Sequence, residues 1–226
     1  MFKGSLVALV TPFDKTGEKI DYSSLENLLK NQIRAKTDAI VLAGTTGEGP
    51  LIEKEEFQKL LEFSLKVVGD KVPIIASTGS NSTKKSVEMT RLAKEVGASA
   101  AMCVLPYYNK PEDRGALLHY KEIEKVELPY ILYHHPGRCA KQLFSETLIE
   151  LSNYEYLVGF KECSKNINLI KSLIEKGSGK PLYCGDDDQL LDMIDLGMKG
   201  SISVFANLFP GYWKIICDEA ISGNRQ

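Results

Sequence analysis

Short apolar runs alternate with stretches whose apolar residues recur every three or four positions, along the whole of this 226-residue chain. Runs at 5–10, 39–42, 72–76, 101–105, 130–133, 156–160, 181–184 and 201–204 are too short for helices and suit strands buried on both faces. Between them the spacing turns helical. Leu25, Leu28, Leu29 and Ile33 make one stripe, and Phe57, Leu60, Leu61, Leu65 and Val68 make the next. A third helix is predicted from 83 to 96 and stops at Gly97, where a left-handed residue is wanted. Leu117, Tyr120 and Ile123 mark a fourth, and Leu148 with Leu151 a fifth. Ile170, Leu173 and Ile174 mark the sixth, Leu190, Leu191 and Ile194 the seventh, and 212–221 the eighth. Eight strand–helix alternations without linker or low-complexity segment predict an α/β chain folded as one (β/α)8 TIM barrel domain over 1–226. An open doubly wound sheet is the alternative, but such sheets less often need eight units. The barrel also predicts where chemistry belongs, at the strand ends that lead into loops.

Composition narrows the classes. With 28 basic against 30 acidic residues there is no general surface for nucleic acid. No apolar run approaches the roughly 20 residues that span a bilayer, and Asp14, Lys15, Glu18 and Lys19 follow the start too soon for a secretory signal. Cys103, Cys139, Cys163, Cys184 and Cys217 are odd in number and never in a CxxC pair, so the expected setting is reducing and cytoplasmic.

Strand ends carry the unusual residues. The second leads into Gly44-Thr45-Thr46-Gly47-Glu48, where glycines let the backbone turn and hydroxyls with free N–H groups offer an anion cradle, or simply a capped turn. The fourth leads into Pro106-Tyr107-Tyr108-Asn109, whose phenols serve either packing or proton transfer. The fifth leads into Tyr133-His134-His135-Pro136-Gly137-Arg138. Neighbouring histidines in extended chain point apart, so no shared metal is expected there. Arg138 is either a bidentate carboxylate clamp or a surface residue. The seventh leads into Gly185-Asp186-Asp187-Asp188, read as a helix cap rather than a magnesium site. The sixth ends on Lys161. Alternation places Leu157, Gly159 and Lys161 on one face, with Val158 and Phe160 on the other.

A lysine at that end is either solvated or held inside the barrel mouth. Inside, desolvation lowers its pKa and frees a nucleophilic amine. A 2-oxo acid could then set its carboxylate in the Thr45–Thr46 cradle and its carbonyl against Lys161. Tyr133 would move the protons that imine and enamine formation require.

These residues, in this order, resemble the dihydrodipicolinate synthase family within the wider pyruvate-dependent class I aldolases. The likeness runs from Gly4-Ser5-Leu6-Val7 and Thr11-Pro12-Phe13 to Ser203-Val204-Phe205-Ala206-Asn207. Gly44 to Glu48, Pro106 to Pro111, Tyr133 to Arg138 and Gly159-Phe160-Lys161-Glu162 carry it most specifically. The resemblance implies that Lys161 forms the imine with pyruvate, with no cofactor and no metal. It implies a proton relay of Tyr133, Thr45 and Tyr108, with Thr46 at the pyruvate carboxylate. Arg138 is implied at the carboxylate of the acceptor, L-aspartate 4-semialdehyde, and Gly185 and Ile202 around pyruvate. Tyr107 is implied as an interface residue, in a homo-oligomer of two or four copies. The reaction implied is a lyase-type condensation on the route to diaminopimelate and lysine. A sugar-acid or hydroxy-oxoglutarate aldolase, or a non-catalytic oxo-acid-binding paralogue, is the alternative.

The sequence departs from the family pattern in three places. His134 stands where asparagine is expected, His135 where an aliphatic residue is expected, and Cys139 and Ala140 stand where threonine and glycine are expected after Arg138. Lys85 and Phe57 occupy positions that are acidic and polar in the family's lysine-feedback pocket, which predicts weak or absent inhibition by lysine. The family's C-terminal helical extension is expected to be missing from a chain ending at Gln226.

Overall fold

The computed structural model describes residues 2–176 and 178–224. Eight strands pair in parallel and in chain order: β1 Gly4–Ala8, β2 Ala39–Leu42, β3 Ile74–Ser77, β4 Ala100–Val104, β5 Tyr130–His134, β6 Leu157–Glu162, β7 Leu182–Cys184 and β8 Gly200–Ser203. β8 pairs back onto β1 and closes the barrel, as the eightfold alternation predicts. The helices are α1 Tyr22–Arg34, α2 Lys54–Val68, α3 Thr83–Val96, α4 Asp113–Glu124, α5 Pro136–Cys139, α6 Ser145–Ser152, α7 Ile167–Glu175, α8 Leu190–Leu196 and α9 Pro210–Ser222. The fifth unit thus has two helices where one was expected, the extra one being the single turn α5 beside Arg138. Among the described residues no helix is long and apolar enough to cross a membrane.

Strand alternation sorts the buried residues into two cores. Leu6, Val41, Ile75, Met102, Ile131, Tyr183 and Ile202 fill the barrel. Val7, Ile40, Leu42, Ile74, Leu132 and Phe160 face outward and meet helix stripes such as Leu25 and Leu29 of α1 and Leu60 and Leu61 of α2. Truncating a fully buried member such as Leu29 to alanine leaves a cavity that costs about 2–5 kcal/mol. Helix ends follow local chemistry. Asp21 Oδ1 accepts from Ser23 N and Ser24 N at 3.0 Å each, which starts α1. Gly97 closes α3 at φ +100°, as its position predicts.

Three expectations are corrected. Leu157 belongs to the outer core with Phe160, and Val158 packs against the inner one. The register shifts between Tyr130 and Ile131, which pair with Leu157 and Gly159, so Val158 is an inserted residue and the faces reverse below it. Above it, Gly159 and Lys161 keep the inward face. Second, the left-handed residues of the loop after β2 are Ala43 and Glu48, whereas Gly47 and Gly49 are needed for close approach. A Cβ on Gly49 would fall 1.7 Å from the Ala43 carbonyl oxygen. Third, Asp187 does not cap the helix that follows it. Its Oδ2 accepts from Val204 N at 3.0 Å and Phe205 N at 2.8 Å, tying the β7 loop to the turn after β8.

The N-terminal end of the barrel is closed by polar contacts. Asp38, just before β2, accepts from Ser5 N at 2.7 Å and pairs with Lys214 of α9 at 3.3 Å. Lys214 also holds Asp218 at 2.6 Å. Leu208 before α9 and Tyr212 and Ile215 on it are exposed.

Candidate active site

Lys161 lies within β6 rather than beyond its end, and its side chain is 6% exposed. In register it stands beside Tyr133 on β5 and Tyr183 on β7. Its Nζ sits 4.4 Å from the centre of the Tyr133 ring. Burial lowers its pKa from the ordinary 10.5; Arg138 pushes the same way, while Cys163, Asp187 and Asp186 oppose it. The Tyr133 hydroxyl is driven up, first by burial and then by Cys163. Arg138 and Thr45 approach that hydroxyl and pull its pKa back. A phenol that stays protonated beside an amine that loses its proton readily is a pair suited to imine chemistry.

Two glycines shape the space around the lysine. A Cβ on Gly185 would fall 2.1 Å from Cys163 Sγ and 2.8 Å from Lys161 Cε, so only glycine lets both side chains stand inside the mouth. At Gly159 a Cβ would meet Tyr183 Cε2 at 2.8 Å. That glycine therefore makes room for the Tyr183 ring. Tyr183 is fixed in turn by its hydroxyl, which donates to Phe2 O at 2.8 Å. Ile202 is fully buried in the same inner layer.

A cavity of about 220 Å³ opens beside this group, lined at one end by Thr45, Tyr107, Tyr133 and Arg138. The other end reaches Phe57, Lys85 and Met89, between α2 and α3. Thr45 is exposed and Thr46 half-buried. In this loop Gly47 N and Gly49 N donate to Gly44 O, and Glu48 N donates to Thr45 O. The N–H groups of Thr45 and Thr46 have no internal acceptor among the described residues, which leaves them available to an anion. Arg138, on α5, is exposed at the rim.

Tyr108 is the predicted site residue that this chain does not bring to Lys161. It sits at φ +68° and is 87% exposed, because the left-handed turn throws the ring away from the barrel. Its neighbour Tyr107 is the one that lines the cavity. Other features escaped the sequence reading. Cys163 continues the inward alternation from Lys161, and burial pushes its thiol up to about 12. His134 is fully buried on the outward side, where Nδ1 donates to Glu162 Oε2 at 2.8 Å and Nε2 accepts from Leu143 N at 3.2 Å. That dyad locks the ends of β5 and β6 behind Tyr133 and Lys161. Only the inward–outward count along each strand could have signalled these placements.

The dihydrodipicolinate synthetase family model matches residues 1–226. A curated 4-hydroxy-tetrahydrodipicolinate synthase of Coxiella burnetii is 44% identical over 225 residues, covering 99% of this chain and 77% of the relative. The crystal structure of a chloride-inhibited dihydrodipicolinate synthase from Acinetobacter baumannii, complexed with pyruvate, is 40% identical with a TM-score of 0.95. It is matched over 98% of this chain and 77% of that one. A structure described as the first monomeric dihydrodipicolinate synthase variant is 34% identical with a TM-score of 0.94, over 99% of this chain and 76% of that one. With the barrel, the inward lysine and these relatives in agreement, this chain belongs to the dihydrodipicolinate synthetase family.

Proposed function

We propose that the chain is a Schiff-base lyase that condenses pyruvate with L-aspartate 4-semialdehyde to give 4-hydroxy-tetrahydrodipicolinate. The observation that carries this reading is the buried Lys161 amine over the Tyr133 ring, at the C-terminal mouth of the barrel. The unprotonated amine adds to the pyruvate carbonyl and water leaves, forming an imine on Lys161 without a cofactor or metal. The protonated imine is an electron sink, so a methyl proton can depart to give an enamine. That carbon attacks the acceptor aldehyde and forms the new C–C bond. The amine of the acceptor then displaces Lys161 at the imine carbon and closes the ring. Tyr133, with Thr45, is the proton carrier for these steps. The free N–H groups of Thr45 and Thr46 take the pyruvate carboxylate, and Arg138 takes the acceptor carboxylate by a bidentate contact. Gly185 and Ile202 bound the pyruvate side.

Tyr108 enters the relay from a second copy of this chain, which its exposure and outward turn favour, and Tyr107 lies at that interface. Because one similar structure is described as monomeric, sedimentation of the chain beside a Tyr108→Phe variant separates assembly from catalysis. The setting is the cytoplasm, as for lysine and diaminopimelate synthesis. The named relatives favour the synthase over a sugar-acid aldolase. Turnover measured with pyruvate and a panel of aldehydes tests the assignment. Aspartate semialdehyde is expected to give the highest kcat/KM, and a preference for sugar aldehydes would reject the synthase reading.

Lys85, itself exposed, lines the same cavity as Thr45 and Tyr133. Its ammonium repels a cationic effector, so lysine is expected to leave activity unchanged. Calorimetric binding of lysine at physiological concentration would contradict this.

A further inference from the structure

His135 follows β5 on the inward side, and its ring meets the Tyr133 ring edge-on, with centroids 5.7 Å apart at 73°. It is half-buried, and the ring edge carrying Nδ1 and Cε1 faces Gly137. Nδ1 is wholly buried and has no hydrogen-bond partner. An orphaned N–H there costs more than an orphaned lone pair, so the proton belongs on Nε2. Burial lowers the ring's pKa from 6.5, helped by Arg138 and Lys161 and opposed by Asp186 and by a contact with its own backbone, so the neutral imidazole predominates at pH 7. A neutral imidazole thus stands beside Tyr133, close to Arg138 and Lys161, with no side-chain hydrogen-bond partner among the described residues.

We infer that His135 is an acceptor-side specificity residue, whose Nε2–H donates a hydrogen bond to an oxygen of the incoming aldehyde substrate. The position fits that role geometrically. Pyruvate reaches Lys161 from the Thr45–Thr46 side, whereas His135 shares its turn with Arg138, the group assigned to the acceptor's carboxylate. With acceptor bound, an N–H on a ring already packed against Tyr133 meets a carbonyl or carboxylate oxygen at little ordering cost. The inference rests on the proposed function, and its test separates the two.

The experiment compares the unmutated chain with His135→Phe, which keeps the edge-on ring but loses the donor, and His135→Gln, which restores an N–H. Each is assayed for the borohydride-trapped pyruvate adduct, for KM of pyruvate, for kcat/KM of the aldehyde and for thermal midpoint. Expected for His135→Phe are an unchanged adduct, an unchanged pyruvate KM, and a fall in aldehyde kcat/KM of roughly tenfold to a hundredfold, as for a lost substrate hydrogen bond. His135→Gln is expected to recover most of it. An effect on KM alone places the bond on the bound ground state, and an effect on kcat places it on the oxygen whose charge develops; both support the inference. Unchanged aldehyde kinetics in His135→Phe overturns it. So does an equal loss for both substrates with a lowered thermal midpoint, which marks a packing role. If the unmutated chain forms no adduct, the proposed function fails first and the inference goes with it.

Discussion

The barrel holds a lysine at each end, under opposite arrangements. Lys161 at the C-terminal mouth is buried, stands over a tyrosine ring, and has its pKa lowered by desolvation. Lys214 at the N-terminal end is 19% exposed and grips two carboxylates, Asp38 and Asp218; these partners outweigh its desolvation and raise its pKa. Asp38 gains less from the pairing, because its own burial raises its carboxyl pKa despite Ser5 N and Lys214. One lysine is arranged to lose its proton and the other to keep it. The difference is what a barrel that does chemistry at one mouth and closes the other with ion pairs should show.

The comparison breaks most severely at Lys161. Lys161→Met is expected to abolish turnover and at the same time raise the thermal midpoint. With the folded pKa below 10.5, the unfolded chain binds the proton more tightly. The cost to the fold is therefore full at pH values below the folded pKa, shrinks as pH rises between the two values, and vanishes above 10.5. Each ~1 kcal/mol relieved should add about 2–4 °C for a chain of this size, read by calorimetry. A lowered midpoint would show that the amine is paired rather than strained. By the same lowering, kcat/KM for pyruvate should rise with pH and level off before 10.5.

Next in size is Tyr133→Phe, which keeps the ring under the amine and removes the hydroxyl proposed as proton carrier. A fall of about 10²–10⁴ in kcat is expected, measured by product formation. Gly185→Ala follows. Its methyl group must displace Cys163 Sγ or Lys161 Cε, and a lysine moved by about 1 Å should lose about a hundredfold in kcat. Full activity in Gly185→Ala would mean that the mouth is softer than its packing implies. The smallest effect belongs to the other end. Lys214→Met should cost about 1 kcal/mol, or about 2–4 °C, with kcat unchanged. Since the raised pKa of Lys214 stabilises the fold below 10.5 and fades as pH rises through the folded value, this loss should disappear in strong alkali.

Most of the frame was legible in the sequence, because a parallel barrel writes itself as short apolar runs separated by helical stripes. Lys161, Tyr133, Thr45 and Arg138 were legible because each lies at or just past such a run. The misreading of the sixth strand has a local cause. Periodicity presumes an unbroken strand, and the inserted Val158 reverses the faces below Gly159, which hid both the outward Leu157 and the Tyr183 ring that needs Gly159. Alternation across the fifth strand end did separate His134 from His135. What each does was invisible, because Glu162 and Leu143 reach His134 only through the fold, and the exposure of Tyr108 depends on a single positive φ.

The most direct measurement is borohydride reduction of the protein in the presence of pyruvate, followed by peptide mass spectrometry. The account predicts a pyruvate-dependent adduct on the peptide carrying Lys161, absent from Lys161→Met and retained in Lys214→Met. No adduct, or an adduct on another lysine, would contradict the claim that burial over Tyr133 makes Lys161 the nucleophile.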